Sequence, residues 1–244
     1  MCNFVDIHCH ALCGVDDGAR NEAMMYAMLE SAYRDGTRAL CFTPHYGLED
    51  AASREQLEEA FARARAYCEE RLPDLALYLG NELSYRFGCR EAVLEKKCLT
   101  LAKTRYVLVD FFAAGDASTV FRGVEEIFNA GYLPLVAHVE RYGFFWNHYR
   151  DVIRLSEMGA LLQVNASSIL THSLSGVART TRRILSDGLA DVVASDAHDV
   201  EVRPPVLSES YRAVCDKYGE EYAKILFFEN PARILAGERI FQNL

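Results

Sequence analysis

Short apolar runs recur along the chain, most of them closed by a polar residue and followed by a stretch with helical spacing. They are FVDIH (4–8), RALCFT (38–43), LALYLG (75–80), RYVLVDF (105–111), YLPLVAH (132–138), ALLQVN (160–165) and ADVVAS (190–195). Runs that are apolar almost throughout, rather than alternating, mark strands buried on both faces of a sheet. Between them the period changes. Val120, Phe121, Val124, Ile127 and Phe128 recur on one face of a helix. Residues 20–35, with Met24, Ala27, Met28 and Ala32, read the same way, as do residues 53–72. Gly36, Gly131, Gly159 and Gly188 each stand before an apolar run, where a helix is expected to end on a glycine. The tail (205–244) reads as helical, with Asn230 as cap and Pro231 at the first position of a helix.

Strands alternating with helices predict an α/β fold with a parallel sheet covered by helices. Seven such units in 244 residues suit a barrel better than an open sheet. No Pro/Ser-rich linker, low-complexity tract or long charge run interrupts the chain, so residues 1–244 are read as one domain.

Composition narrows the function. The formal charge is −9, with half the residues hydrophobic. Such a balance argues against nucleic acid as the main partner, since phosphate backbones are held by Lys and Arg. Neither a signal-like N-terminus nor a membrane-length apolar run is evident, so a soluble, cytoplasmic protein without membrane insertion is expected. The eight cysteines (2, 9, 13, 41, 68, 89, 98 and 215) form no CxxC pair and are read as small buried residues.

Five of the seven histidines lie at or just past predicted strand ends: His8, His10, His45, His138 and His198. Glu82, Asp110 and Asp196 hold comparable places. In barrels of βα units the C-terminal strand ends share one rim, so these residues are expected to converge there. His8 and His10, two apart on a strand, face one side; Asp196 and His198 have the same spacing. Histidine mixed with carboxylate suits Zn, Mn or Fe, and Mg less clearly. The donors outnumber what one ion takes, so two or three ions sharing carboxylates are expected. His148 and His172 fall in helix or loop segments and are read as non-ligands.

The motifs DIHCHALCGVDDGA, TPHY, GNEL, AHVERY, QVNAS, SDAHDVEVRPP and ENPARIL resemble the PHP (polymerase and histidinol phosphatase) superfamily. Within it they resemble the bacterial metal-dependent protein-tyrosine phosphatases of capsule and exopolysaccharide operons. The resemblance runs from residue 6 to about 235. It implies a distorted (β/α)7 TIM-like barrel with three divalent ions, manganese first, with iron, zinc or magnesium as alternatives. By motif, one ion would take His8, His10, Glu82 and Asp196. A second would take Glu82, Asp110 and His138, and a third Asp17, His45 and His198. Asp17, not Asp16, is the matching residue of the DDG pair. Arg141 and Arg203 would hold the substrate phosphate. The implied partner is a phosphotyrosine protein, a bacterial tyrosine kinase regulating capsule synthesis. Two departures stand out: Asp110 replaces the family's usual glutamate, and the loop after His45 reads YGLEDAASRE where the family often has basic residues.

Phosphomonoester hydrolysis fits these residue types. Adjacent divalent ions lower the pKa of a bound water towards about 7 and supply hydroxide. Guanidinium groups match phosphate oxygens bidentately. A phenolate leaving group, with pKa near 10, needs no strong general acid. Arg141 has an alternative in an ion pair with Glu140, and Arg203 in a surface position before a Pro-Pro turn. Phe144, Phe145 and Trp146 follow on a rim loop. Phe144 and Trp146 are candidates to pack on a phosphotyrosine ring; a lid anchored in the barrel, or a partner surface, is the other reading. Competing functions are histidinol-phosphate or other small-molecule phosphoester hydrolysis, a nuclease or amidohydrolase on a similar barrel, and a catalytically empty scaffold. A cysteine phosphatase is disfavoured, because no cysteine has Arg six residues later; Cys9 has Val15 and Cys13 has Ala19.

Overall fold

The structure, a computed structural model, describes residues 3–47, 51–85, 89–111 and 115–240. Cys2, part of the loop after His45 and the last residues of the helical tail lie outside them. The first half of the chain runs β1 (Phe4–Cys9), α1 (Glu22–Asp35), β2 (Thr37–Phe42), β3 (His45–Tyr46), α2 (Arg54–Arg71), β4 (Ala76–Leu79), β5 (Glu82–Ser84), α3 (Cys89–Leu94), β6 (Tyr106–Asp110) and α4 (Ala117–Asn129). The second half runs β7 (Leu133–Val136), α5 (Arg150–Glu157), β8 (Leu161–Asn165), α6 (Ala166–Ile169), α7 (Gly176–Ser186), β9 (Val192–Ala194), α8 (Ser208–Tyr218), α9 (Glu220–Lys224), a π-helical turn (Ile225–Glu229) and α10 (Asn230–Ala236).

Each of the seven apolar runs forms a strand. The short β3 and β5 extend the lines of β2 and β4 beyond breaks at Thr43-Pro44 and Gly80-Asn81. Proline has no N–H for a ladder. Gly80 passes close to the Leu101 backbone, where a Cβ would meet its Cα at 3.1 Å. All paired strands are parallel, in two sheets ordered β1-β2-β4 and β3-β5-β6-β7-β8-β9. Beyond β9 the chain returns to β1. Asp196 N–H donates to His8 O (2.9 Å), His10 N–H donates to Ala197 O (2.8 Å), and Cys9 bridges Ala197. The seven strand lines thus form a distorted α/β barrel whose ladder is broken between the two sheets.

Side chains sort by this geometry. Val5, Ile7, Cys41, Tyr106, Leu108, Leu135, Leu161 and Val192 fill the interior, with Ile234 and Leu235 of α10 packed against them. Val107, Val109, Val136, Leu162, Val164 and Val193 belong to the outer layer with Val120, Val124, Val152, Leu155 and Ile184 of the covering helices. α1 buries Met25, Met28, Leu29 and Ala32, whereas Met24 and Ala27 of the expected face are half-buried. It starts on an Asn21 cap and ends on Gly36 at φ 111°. α2 starts on a Ser53–Gln56 capping box. Gly131, Gly159 and Gly188 sit one residue past the caps of α4, α5 and α7, all at positive φ. One expectation is corrected at Asn230. The π-helical turn leads straight into α10, so no cap is needed, and the Asn230 amide instead donates to Asp191 O (2.9 Å).

Candidate metal centre

The centre stands on the C-terminal rim, where strands end in residues with unusual backbone. In β1, Val5 and Ile7 pack inward but Cys9 packs in the outer layer. The strand's phase reverses across a register shift between Asp6 and Cys9, and His8 and His10 face the site. Irregularities of this kind re-aim side chains beside active sites. His138 and Asp196 hold left-handed conformations, φ 32° and 52°, uncommon away from glycine and concentrated at functional sites.

The donor atoms stand at the separations of a coordination shell. His8 Nε2 is 3.1 Å from His10 Nε2, 3.5 Å from Glu82 and 3.3 Å from Asp196. His10 Nε2 is 3.3 Å from Glu82, and His138 Nε2 is 2.9 Å from it. Asp17 stands 3.3 Å from His45 Nε2 and 3.4 Å from His198 Nε2. Two donors on one ion at about 2.1 Å lie roughly 3.0 to 3.4 Å apart at octahedral or tetrahedral angles. Four groups of donors come within 4.8 Å: His8, His10 and Glu82; His8, His138 and Asp196; Glu82, Asp110 and His138; and His10, Asp17, His45 and His198. All nine expected ligands are therefore brought together. The grouping differs from the implied one in that His10 also joins Asp17, His45 and His198, and Asp196 groups with His8 and His138 rather than with His10 and Glu82. Asp110 reaches the site despite its short side chain, 4.0 Å from His138 Nδ1.

A set of polar residues outside the expected ligands orients these donors. Asp16 accepts from His10 Nδ1–H (2.7 Å), Gly18 N–H (3.0 Å) and His45 N–H (3.3 Å). Gly18 is required here, since a Cβ would fall 1.8 Å from His10 O. Gln163 Oε1 accepts from His8 Nδ1–H (3.0 Å) and His138 N–H (2.8 Å). Its amide donates to Asn165, whose own amide donates to Asp196 Oδ2, both at 2.7 Å. His198 Nδ1–H donates to Asp196 O (3.0 Å). The bonds from Nδ1 of His10, His8 and His198 fix the tautomer and leave Nε2 facing the site, as ligating histidines require. Tyr142 OH donates to Asp110 (3.2 Å) and accepts from Phe111 N–H (2.8 Å). Sequence reasoning assigned no role to Asp16, Gln163, Asn165 or Tyr142. The one available signal was a polar pair, Gln163 and Asn165, inside an otherwise apolar strand.

Electrostatics follow from this crowding. Burial disfavours charge on His10 and His138, but hydrogen bonds to Asp16 and Glu82 outweigh it and raise both to about 9. Against the same opposition from burial, His45 rises to about 11 beside Asp17 and Glu82. Burial works against the Glu82 carboxylate too, yet the surrounding histidines hold it well below the usual range. Hydrogen bonds from His198 and His45 hold Asp17 low. The buried Nδ1 of His45 lies 2.9 Å from Glu82, and that of His138 lies 4.0 Å from Asp110. Metal-free, the site is thus a proton-loaded cluster of donors that divalent cations would satisfy, and the donor set fits them.

A cleft of about 250 Å³ opens onto this cluster, lined by seven of the nine donors and by Arg141 and Arg203. His8 and His10 are buried and do not line it. Arg203 Nη2 is 2.6 Å and Arg141 Nη1 3.3 Å from Asp196 Oδ2. Arg141 does not pair with Glu140, which is fully buried and accepts from Asn165 N–H and Ser168 OH. Phe144 and Trp146 are not among the lining residues. Phe144 stacks on Tyr142, and the Trp146 indole N–H donates to Glu140 O (3.0 Å) with its ring against Gly176. The described cysteines are free, and Cys9 is buried in the outer layer. Among the described residues no helix is long and apolar enough to cross a membrane.

The chain is similar to known proteins. A family model described as capsular polysaccharide synthesis, CpsB/CapC, matches residues 4–236. The tyrosine-protein phosphatase CpsB of Streptococcus pneumoniae is 31% identical over 243 residues, spanning 97% of this chain and 100% of the relative. The tyrosine-protein phosphatase YwqE of Bacillus subtilis is 30% identical, spanning 98% and 94%. A solved structure from work on YwqE and CpsB, described as unique metal-dependent tyrosine phosphatases, matches with a TM-score of 0.89 at 26% identity over 98% of this chain and 97% of that one. A putative histidinol phosphatase of Listeria monocytogenes, at TM-score 0.55 and 11% identity over 87% of this chain and 99% of its own, shares the fold alone. With its barrel, its rim of donors and its match over nearly the whole length, the chain belongs to the CpsB/CapC family of capsular polysaccharide synthesis.

Proposed function

We propose that this protein is a metal-dependent protein-tyrosine phosphatase acting on a phosphotyrosine protein of capsule or exopolysaccharide synthesis, a bacterial tyrosine kinase, in the cytoplasm. The observation that carries the reading is the cleft itself, in which histidine and carboxylate donors lie beside two arginines converging on Asp196. The tyrosine-phosphatase names of the relatives support it. We assign His8, His10, Glu82 and Asp196 to one ion, Glu82, Asp110 and His138 to a second, and Asp17, His45 and His198 to a third, with manganese as the metal. Bound divalent ions there would supply Lewis acidity and an acidified water.

The chain's own residues do the rest. Arg141 and Arg203 are part-exposed at the cleft and bind the phosphate oxygens through their guanidinium forks. Asp196 Oδ2, itself accepting from the Asn165 amide, holds Arg203 in place before substrate arrives. Asp16 and Gln163 keep the proton of His10 and His8 on Nδ1, away from the site. No general acid is needed for a phenolate leaving group.

The test is hydrolysis of a phosphotyrosine peptide and of histidinol phosphate after chelation, with each divalent metal added back. The peptide is expected to be preferred and manganese to restore turnover best. Equal or better turnover of histidinol phosphate contradicts the assignment. His8→Ala and Asp196→Ala are expected to abolish activity, and wild-type rates in either contradict the metal mechanism.

A further inference from the structure

Five large apolar side chains stand exposed among the described residues: Leu94, Trp146, Leu174, Val200 and Val202. Trp146, Val200 and Val202 lie on the loops that follow β7 and β9, and Leu174 lies between α6 and α7 in the connection from β8 to β9. Val202 precedes Arg203 directly, and Trp146 follows Arg141 by five residues. Scattered exposed apolar residues mean little, but a group beside a polar cleft marks a binding surface.

These side chains are presented on braced turns. Asp199 Oδ1 accepts from the N–H groups of Glu201, Val202 and Arg203 at 2.7, 2.5 and 3.2 Å, and Arg203 O accepts from His198 N–H at 2.9 Å. The Arg179 guanidinium donates to Leu174 O (3.0 Å), and Ser173 OH donates to Ser175 OH (2.8 Å). The Trp146 ring lies so close to Gly176 that a Cβ there would fall 2.1 Å from Cδ2. Val202 and Leu174 are nonetheless 82% and 84% exposed. An apolar side chain held out in water on a fixed turn loses little freedom when covered, which is the condition for a productive contact.

We propose that Leu174 and Val202, with Trp146, form a subsite for an apolar residue flanking the phosphotyrosine in the substrate chain. The proposal rests on the phosphatase reading. Its occupant follows from continuity: a phosphate held by Arg141 and Arg203 brings the adjoining residues of its own chain over these loops. Consecutive residues are spaced by about 3.8 Å, so one or two positions from the phosphotyrosine remain within about 8 Å of its Cα. The subsite then discriminates between substrates by apolar contact, while the arginines bind the phosphate common to all of them.

The experiment compares two phosphotyrosine peptides, identical except for leucine or serine at the two positions on either side, and p-nitrophenyl phosphate, which has no flanking residues. Wild-type protein is expected to favour the leucine peptide about tenfold in kcat/KM, mainly through KM. The double variant Leu174→Ser, Val202→Ser is expected to lose that preference and to hydrolyse p-nitrophenyl phosphate within about twofold of wild type, because neither residue lines the cleft. Equal wild-type turnover of both peptides overturns the subsite alone, as does a preference that survives in the double variant. Failure to hydrolyse any of the three overturns the phosphatase reading, and the subsite with it.

Discussion

Replacing Asp16 by asparagine tests how the site controls its histidines. Asp16 Oδ2 lies 2.7 Å from His10 Nδ1, so the carboxylate requires a proton on that nitrogen and leaves Nε2, 3.3 Å from Glu82, as the nitrogen that can ligate. The asparagine oxygen can keep the bond from Gly18 N–H, but its amide NH2 then faces His10. The imidazole must accept at Nδ1, and its proton moves to Nε2, where it blocks coordination. Restoring the ligating tautomer forfeits a hydrogen bond to a charged group, about 1.5 to 3 kcal/mol. At 1.36 kcal/mol per tenfold, that is roughly a 10- to 150-fold loss of metal affinity. Calorimetric manganese titration of the chelated protein measures it directly. Asp16→Asn is expected to need correspondingly more metal for half-maximal activity and to approach wild-type rates at saturation. Asp16→Ala is expected to do worse, because Gly18 N–H loses its acceptor as well. Wild-type affinity in Asp16→Asn would refute the reasoning.

Other perturbations follow from the same geometry. Tyr142→Phe leaves buried Phe111 N–H without the hydroxyl that accepts it and Asp110 without that donor; a loss of about 1 to 3 kcal/mol in urea unfolding is expected, with weaker metal binding, and unchanged values in both speak against the role. Gly18→Ala drives a Cβ into His10 O; at about 3 kcal/mol the melting temperature should fall by roughly 6 to 12 °C, and a melt within 2 °C of wild type, about 1 kcal/mol or less, argues against the close approach. In the metal-free protein His10 and His138 are raised to about 9 and His45 to about 11, against about 6.5 in an unfolded chain. Their stabilisation is complete below about pH 6.5 and is lost as pH rises through 9 towards 11. The chelated protein should therefore melt lower at pH 9.5 than at pH 7, and metal uptake at pH 7 should release protons; a flat or rising melting temperature contradicts this.

Much of the architecture was legible because it depends on side-chain periodicity. Runs such as RYVLVDF and YLPLVAH are apolar because both faces of the strand are covered, and they became β6 and β7. β3 and β5 were not legible: at two and three residues they are too short to show a period, and each follows a break at Pro44 or Gly80. Most of the donor set was legible because its members lie at or just past the end of an apolar run, where chain-distant positions must meet; Asp17 came only from the resemblance of the DDG motif. What orients the donors was harder to read. Asp16 could not be told from Asp17 by type, yet one turns to His10 Nδ1 and the other to His45 and His198. The register shift that turns His8 inward leaves no mark on composition. Gln163 and Asn165 did leave one, since a polar side chain in a buried strand must find partners, and theirs are His8 and Asp196.

The central claim is that these residues hold divalent ions beneath two phosphate-binding arginines. Anomalous diffraction from a manganese-loaded crystal, recorded on both sides of the manganese edge, tests it most directly. The account predicts three peaks in the cleft: one at His8, His10, Glu82 and Asp196, one at Glu82, Asp110 and His138, and one at Asp17, His45 and His198. A cleft without anomalous density at saturating manganese, or peaks bound only elsewhere on the surface, would contradict it.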